Sequence, residues 1–143
     1  MSSTMRKPEI GGAFDCVMPV RWGDLDALNH VNNTIYFRYL EEARIQLFSQ
    51  AGMVIGENRL FLLAHASCDF LQPLLYPSTI VVRQILTRVG RTSLHFDTMI
   101  ACRDNPEVVY AKGKNVVVGA DPGTGRPVPW TASELADFAS CFV

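Results

Sequence analysis

The chain has 143 residues, of which 48% are hydrophobic and 19% are charged, and its formal net charge is −1. This length and composition are typical of one folded domain with enough residues for a hydrophobic core. The chain lacks the basic surplus of nucleic-acid-binding or membrane-surface proteins and any apolar run of transmembrane length, so we expect neither partner. The first residues lack the apolar stretch of a secretory signal, which favours a cytoplasmic location.

The predicted elements begin with a polar, flexible leader over residues 1–11. A first strand is predicted for residues 13–21, because every second residue from Phe14 to Val20 is apolar and would share one face. A short turn rich in Asp follows this strand and leads into the next element. The predicted fold therefore begins with a strand that is followed by a polar turn.

An amphipathic helix is predicted from Thr34 to about Gln50. Asn32, Asn33 and Thr34 are favoured N-cap residue types, so the helix should start among them, and Gly52 supplies a stop. Its apolar side chains spread beyond one narrow face, so most sides of the helix must be covered. They are Ile35, Tyr36, Phe37, Tyr39, Leu40, Ala43, Ile45, Leu47, Phe48 and Ala51.

The rest of the chain is rich in β-strand patterns separated by Gly, Pro, Asp and Asn residues that favour turns. There is no alternation of strand and helix, so the pattern predicts an α+β fold with an antiparallel sheet. The predicted strands cover residues 60–71, 79–89, 92–103 and 107–119, with a turn at 104–106, a loop at 121–125 and a terminal helix over 131–140 that Thr131 caps.

The turn before the long helix carries side chains that point to chemistry. Asp24 and Asp26 stand one residue apart, and His30 follows them. A helix N-terminus has free backbone N–H groups and a partial positive charge. An acid placed just before it sets a carboxylate beside a group that binds an oxyanion, which is the pairing that hydrolysis of an activated acyl group requires.

Residues 21–44 resemble the signature of the 4-hydroxybenzoyl-CoA thioesterase family, which are acyl-CoA thioesterases of hot-dog fold. The shared features are Arg-x-x-Asp-x-Asp, His-Val-Asn-Asn and Tyr-x-x-x-Leu-Glu-x-Ala-Arg, and they stand here at Arg21, Asp24, Asp26, His30, Val31, Asn32, Asn33, Tyr36, Leu40, Glu41, Ala43 and Arg44. Asn29 replaces a common Gly, and Asn also tolerates positive φ. The resemblance implies one hot-dog domain over residues 1–143, in which about five antiparallel strands wrap the long helix.

The resemblance also assigns roles in the hydrolysis of acyl-CoA. Asp26 matches the catalytic acid, either as nucleophile or as general base. The backbone N–H of Asn33 matches the group that polarises the thioester carbonyl. His30 is a candidate for orienting the substrate or sharing proton transfer, and equally for holding the loop. Asp24 is expected to bond the loop or to pair with Arg21.

Three further residues are candidates for substrate binding. Arg91 and Ser93 lie at a predicted hairpin that resembles the loop contacting the nucleotide end of CoA. Glu41 stands where an acid in the family can face the acyl pocket of the partner subunit. The alternative for Glu41 is a solvated or ion-paired helix acid near Arg38 and Arg44.

The four cysteines and three histidines are dispersed, so no metal-ligand spacing is present and we expect no metal or other cofactor. The resemblance implies a homodimer or homotetramer whose active sites lie at the subunit boundary. Two other functions stay open. One is a non-catalytic module that binds acyl-CoA, and the other is a hot-dog dehydratase acting on a 3-hydroxyacyl thioester.

Overall fold

The computed structural model describes residues 6–54 and 57–142. The predicted order of a strand, a long helix, four strands and a terminal helix is confirmed, and each boundary lies within two residues of the predicted one. The elements are β1 (Ala13–Pro19), a 3-10 turn (Trp22–Asp24), α1 (Asn33–Gln50), β2 (Leu60–Phe70), β3 (Thr79–Val89), β4 (Ser93–Cys102), β5 (Asn105–Ala120) and α2 (Ala132–Ala139).

The five strands form one antiparallel sheet in the order β1-β3-β4-β5-β2, so β1 and β2 are its edges. The first half of α1 packs with one apolar cluster and its second half with another. The predicted α+β architecture, in which a sheet of about five strands wraps a long helix, is confirmed. None of the helices in the described ranges is long and apolar enough to cross a membrane.

A band of buried polar side chains crosses the sheet between the two apolar clusters. On β3, Gln84 stands between Val82 and Leu86, which belong to different clusters. Thr98 on β4 pairs directly with Gln84, Asn115 on β5 lies opposite Phe96, and Arg44 lies on α1 between residues of the two clusters. All four are buried. The middle of α1 therefore lies over polar groups rather than over a continuous apolar core.

Local sequence signals set both ends of α1. The Asn32 side chain accepts a hydrogen bond from the Thr34 N–H at 2.9 Å, so the predicted N-cap is confirmed. Gly52 has φ of +82°, the left-handed conformation that ends a helix. In α2, Thr131 and Glu134 form a reciprocal capping box, also as predicted.

Three details differ from the prediction or extend it. The turn expected at residues 104–106 lies at residues 103–104, because Asn105 already pairs with Cys102. Phe37 and Ile45 are 39% and 42% exposed, so this chain does not cover every apolar side of α1. Of the expected leader, residues 1–5 lie outside the described residues, while the N–H of Gly11 donates to the carbonyl of Leu86 at 2.7 Å.

Candidate active site

The turn between β1 and α1 is tied together by Asp24. Its Oδ2 accepts hydrogen bonds from the Arg21 N–H at 2.8 Å and from the Tyr39 hydroxyl at 2.7 Å. Its carbonyl accepts from the Asn32 N–H at 3.0 Å. Burial and the bond to Asp24 raise the pKa of Tyr39, so its hydroxyl stays a donor. Asp24 thus bonds the loop, one of its two expected roles, and joins it to α1.

Asp26 opens a tight loop whose backbone closes on itself. Its N–H donates to the His30 carbonyl at 3.0 Å, and its carbonyl accepts from the Asn29 N–H at 3.0 Å. Asn29 has φ of 60°, a left-handed conformation that Asn adopts more readily than most other residues. The Asp26 Oδ1 accepts from the Leu28 N–H at 2.9 Å. Within the described residues Oδ2 accepts no hydrogen bond, so one carboxylate oxygen remains available for chemistry.

The N-terminus of α1 offers a free donor next to this loop. The Asn32 side chain accepts a hydrogen bond from the Thr34 N–H, and the Asn32 carbonyl accepts one from the Ile35 N–H at 2.9 Å. The N–H of Asn33 has no acceptor in the part of the chain that the structure describes. A first-turn N–H at the positive end of a helix binds a negatively charged oxygen well.

Asp26, His30 and Asn33 line one open cleft of about 310 Å³. Its other wall is formed by the end of β2 and the loop that follows it. Tyr36 fixes that loop, since its hydroxyl accepts from the Leu74 N–H at 3.0 Å and donates to the Gln72 carbonyl at 3.3 Å. The apolar lining includes Leu28, Tyr36, Phe70 and Leu71, with Phe70 packed edge-on against Tyr36.

The structure brings together three of the six predicted site residues and separates the others. Arg91 lies in the β3–β4 turn and Ser93 begins β4, beyond the end of β3 that is remote from the 3-10 turn and Asp26. The 11-residue β3 separates the two ends by about 30 Å. Glu41 is exposed on α1, two turns after the helix start. Sequence patterns gave no sign that the loop after β2 forms the second wall, because that contact joins Tyr36 to residues far along the chain.

No group of three or more His, Cys, Asp or Glu side chains in the described residues is placed to hold a metal ion. The cleft offers a carboxylate, an imidazole and a backbone donor beside an apolar wall, and Asn32 and Gln72 also line it. This set suits an uncharged acyl group whose carbonyl oxygen becomes negative during reaction.

Comparison with known proteins gives one family. Residues 20–138 match the model of the thioesterase-like superfamily. The chain is 30% identical over 118 residues to the uncharacterized protein YsmA of Bacillus subtilis (strain 168), which covers 80% of this chain and 78% of the relative.

Two solved structures agree with that match. The PA2801 protein of Pseudomonas aeruginosa, a proposed thioesterase, is 33% identical with a TM-score of 0.80, over 84% of this chain and 93% of its own. A proposed acyl-CoA thioesterase from Xanthomonas campestris is 31% identical with a TM-score of 0.68, over 73% of this chain and 90% of its own. The match to the family model, over residues 20–138, spans α1 and β2 to β5, which include the elements that position the cleft.

Proposed function

This chain belongs to the thioesterase-like superfamily of hot-dog proteins, and from that membership we propose that it is an acyl-CoA thioesterase of the 4-hydroxybenzoyl-CoA thioesterase type. The reaction takes an acyl-CoA and water to a carboxylic acid and free CoA. The observation that supports it best is the cleft shared by a carboxylate with one unbonded oxygen and a helix N–H without an acceptor in the described residues.

In the proposed mechanism the thioester carbonyl lies between Asp26 and the N-terminus of α1. The Asn33 N–H donates to the carbonyl oxygen and stabilises the negative charge of the tetrahedral intermediate. The side chain of Asn33 is not required for that bond. His30 lines the same cleft, where it can orient the substrate or share the proton transfer with Asp26.

Asp26 has two chemically distinct routes to the same products. As a nucleophile its free Oδ2 attacks the carbonyl carbon, CoA thiolate leaves, and water then cleaves the mixed anhydride. As a general base it takes a proton from water, which attacks the carbonyl carbon directly. Both routes need the carboxylate in its ionised form.

The proposed nucleotide contacts require a second copy of the chain. Arg91 and Ser93 lie at the far end of the sheet from Asp26 in one protomer, so they are not expected to bind CoA held in that protomer's own cleft. The edge strand β2 has no neighbour on its outer side in the described structure, and Leu62 and Leu63 on it are 44% and 48% exposed. An uncovered edge with apolar side chains favours pairing with another strand.

A two-fold axis through the middle of β2 would pair this strand with its copy in antiparallel fashion. Such an axis reverses the partner, so the partner's β3–β4 turn comes to the end of the sheet where Asp26 lies. We therefore propose a homodimer, alone or as the unit of a tetramer, in which each cleft takes its carboxylate from one chain and its Arg91 and Ser93 from the other.

The shared-site dimer predicts that activity depends on protein concentration. Diluting the protein through its dimer dissociation constant should lower turnover per chain in parallel with the dimer fraction. Light scattering and initial rates measured over the same dilution series check this. A folded monomer that retains full activity per chain would refute the shared site.

Replacing Arg91 with Ala is expected to raise KM for an acyl-CoA by about 10-fold and to change kcat by less than about 2-fold. The guanidinium would contact CoA away from the reacting carbonyl, so it contributes equally to ground-state and transition-state binding. The same variant assayed with an acyl-pantetheine thioester, which lacks the nucleotide, is the control and should match the unaltered protein. Equal losses on both substrates would place Arg91 elsewhere.

A panel of acyl-CoAs mixed with the protein and a thiol-reactive dye tests the proposed function itself. Release of free CoA well above the uncatalysed rate supports hydrolysis. Binding of acyl-CoA without release would instead support a non-catalytic binding module. Aliphatic esters of several lengths and aryl esters in one panel also rank the acyl groups that the cleft accepts.

A further inference from the structure

The guanidinium of Arg44 is buried in the middle of the fold without a carboxylate partner. Arg44 is only 8% exposed, and none of the three ion pairs in the described structure involves its guanidinium. The orientation of the Asn115 amide that satisfies both of its polar atoms places its oxygen 3.2 Å from Arg44 Nη1. Burial lowers the pKa of Arg44, and the charge of Glu41 opposes that shift. A buried cation bonded to one neutral amide is costly unless an anion completes it.

Glu41 is the nearest candidate anion by position, yet it is not paired within its own chain. It precedes Arg44 by three residues, so both stand on neighbouring turns of α1. Glu41 is exposed, and the ion pairs of the described residues do not include it. One helix therefore displays an unpaired acid and, one turn away, an unpaired base.

Both residues lie level with the middle of the open edge strand. Near the start of α1, Phe37 packs edge-on against Phe70 of β2, and near its end Phe48 stacks on Phe61 at 4.0 Å between ring centroids. The segment from Glu41 to Arg44 lies halfway between these two contacts. It therefore lies level with the middle of β2, through which the proposed two-fold axis passes.

Antiparallel copies of α1 related by that axis would place Glu41 of one chain opposite Arg44 of the other, twice. We propose that the partner's Glu41 completes the Arg44 site, so that two reciprocal Glu41–Arg44 ion pairs fix the register of the dimer across its two-fold axis. The inference rests on the proposed dimer and not on the hydrolytic chemistry. It gives Glu41 a contact with the partner's arginine instead of with an acyl group, and it supplies an anion for the arginine buried over Asn115.

Charge reversal tests the pair, because the two single variants are complementary. In a Glu41→Arg homodimer, two arginines face each other at both contacts, and in an Arg44→Glu homodimer two glutamates do. When the two variants are mixed, a heterodimer has arginines at positions 41 and 44 of one chain and glutamates at both positions of the other. An arginine then faces a glutamate at both contacts. We expect each homodimer to dissociate at least about 100-fold more readily than the unaltered protein, and the mixture to form heterodimers within about 10-fold of it.

Glu42→Arg is the matched control, since it makes the same charge change one residue further along α1. The Glu42 carboxylate bonds Gln46, whose side chain also meets Cys16 of β1, on the side of the helix away from β2. The dissociation constant of the Glu42→Arg dimer should stay within about 3-fold of the value for the unaltered protein. Analytical ultracentrifugation of differently tagged chains measures all these constants, with circular dichroism as the check on folding.

Equal dissociation constants for Glu41→Arg and Glu42→Arg would overturn the proposal, as would an unaltered protein that is monomeric. Because Arg44→Glu replaces a buried residue, it is tested with Glu41→Arg present during refolding. If it still does not fold, the comparison between Glu41→Arg and Glu42→Arg decides. None of these measurements uses turnover, so a protein that dimerises through this pair yet hydrolyses no acyl-CoA would contradict the proposed function and leave the ion pair standing.

Discussion

Asp26→Asn is expected to lower kcat for acyl-CoA hydrolysis by about 100-fold or more while leaving the fold intact. The amide oxygen of Asn can still accept the Leu28 N–H that now bonds Oδ1, so the loop retains its shape. The amide has no negative charge and is neither a nucleophile nor a base at neutral pH, so either route through Asp26 is lost. Initial rates with the best ester of the panel, together with circular dichroism spectra, check both halves of the expectation.

Asp24→Asn is the matched control, because it makes the same chemical change two residues earlier. The Asp24 carboxylate bonds the Arg21 N–H and the Tyr39 hydroxyl, and an amide oxygen can accept both. We expect this variant to lose some stability and to keep most of its turnover. Near-normal turnover in a well-folded Asp26→Asn protein would remove Asp26 from the mechanism, and a larger loss in Asp24→Asn would exchange the two roles.

Sequence patterns predicted those parts of the fold and site that depend on near neighbours. The start of α1 follows from Asn32, whose side chain caps a group two residues away, and the end follows from the conformational freedom of Gly52. The motif around Asp26, His30 and Asn33 is short, so one loop places all three in one cleft. Alternating apolar residues and turn residues were likewise enough to place the strands.

Contacts between distant residues had no such signal. The polar groups buried beneath α1 come from three separate strands, and nothing in the sequence near Arg44 marks it as buried. The second wall of the cleft depends on Tyr36 reaching a loop 36 and 38 residues away. Phe37 and Ile45 follow the apolar pattern of the helix and yet face solvent in one chain, because pattern does not tell whether the covering surface belongs to the same chain or to a partner.

Arg59 is another buried residue without a local signal, and it pins the end of the chain to the sheet. Its guanidinium makes two bonds to Glu134, at 2.7 and 2.6 Å, and donates to the carbonyls of Val128 and Pro129. It also lies 4.7 Å from the ring centre of Trp130. The backbone N–H of Trp130 in turn donates to the Arg91 carbonyl at 3.0 Å. Arg59 therefore supports the turn that carries the proposed nucleotide contacts.

Arg59→Ala is expected to lower the free energy of unfolding by about 3–5 kcal/mol, because it leaves the carboxylate of Glu134 and two carbonyls without their donor. Urea unfolding at fixed chain concentration measures this. Arg83→Ala is the matched control: its bidentate pair with Asp15 has side chains 49% and 41% exposed, so its loss should cost about 1 kcal/mol or less.

Burial raises the pKa of Glu134, but bonds from Arg59 and Thr131 bring it below its ordinary value. The stabilisation is therefore present above the ordinary pKa of glutamate and lost as pH falls through the lower, folded-state pKa. The difference in unfolding free energy between the unaltered protein and Arg59→Ala should therefore narrow as pH falls below about 4.3. A difference that is constant with pH would show that the ion pair contributes little.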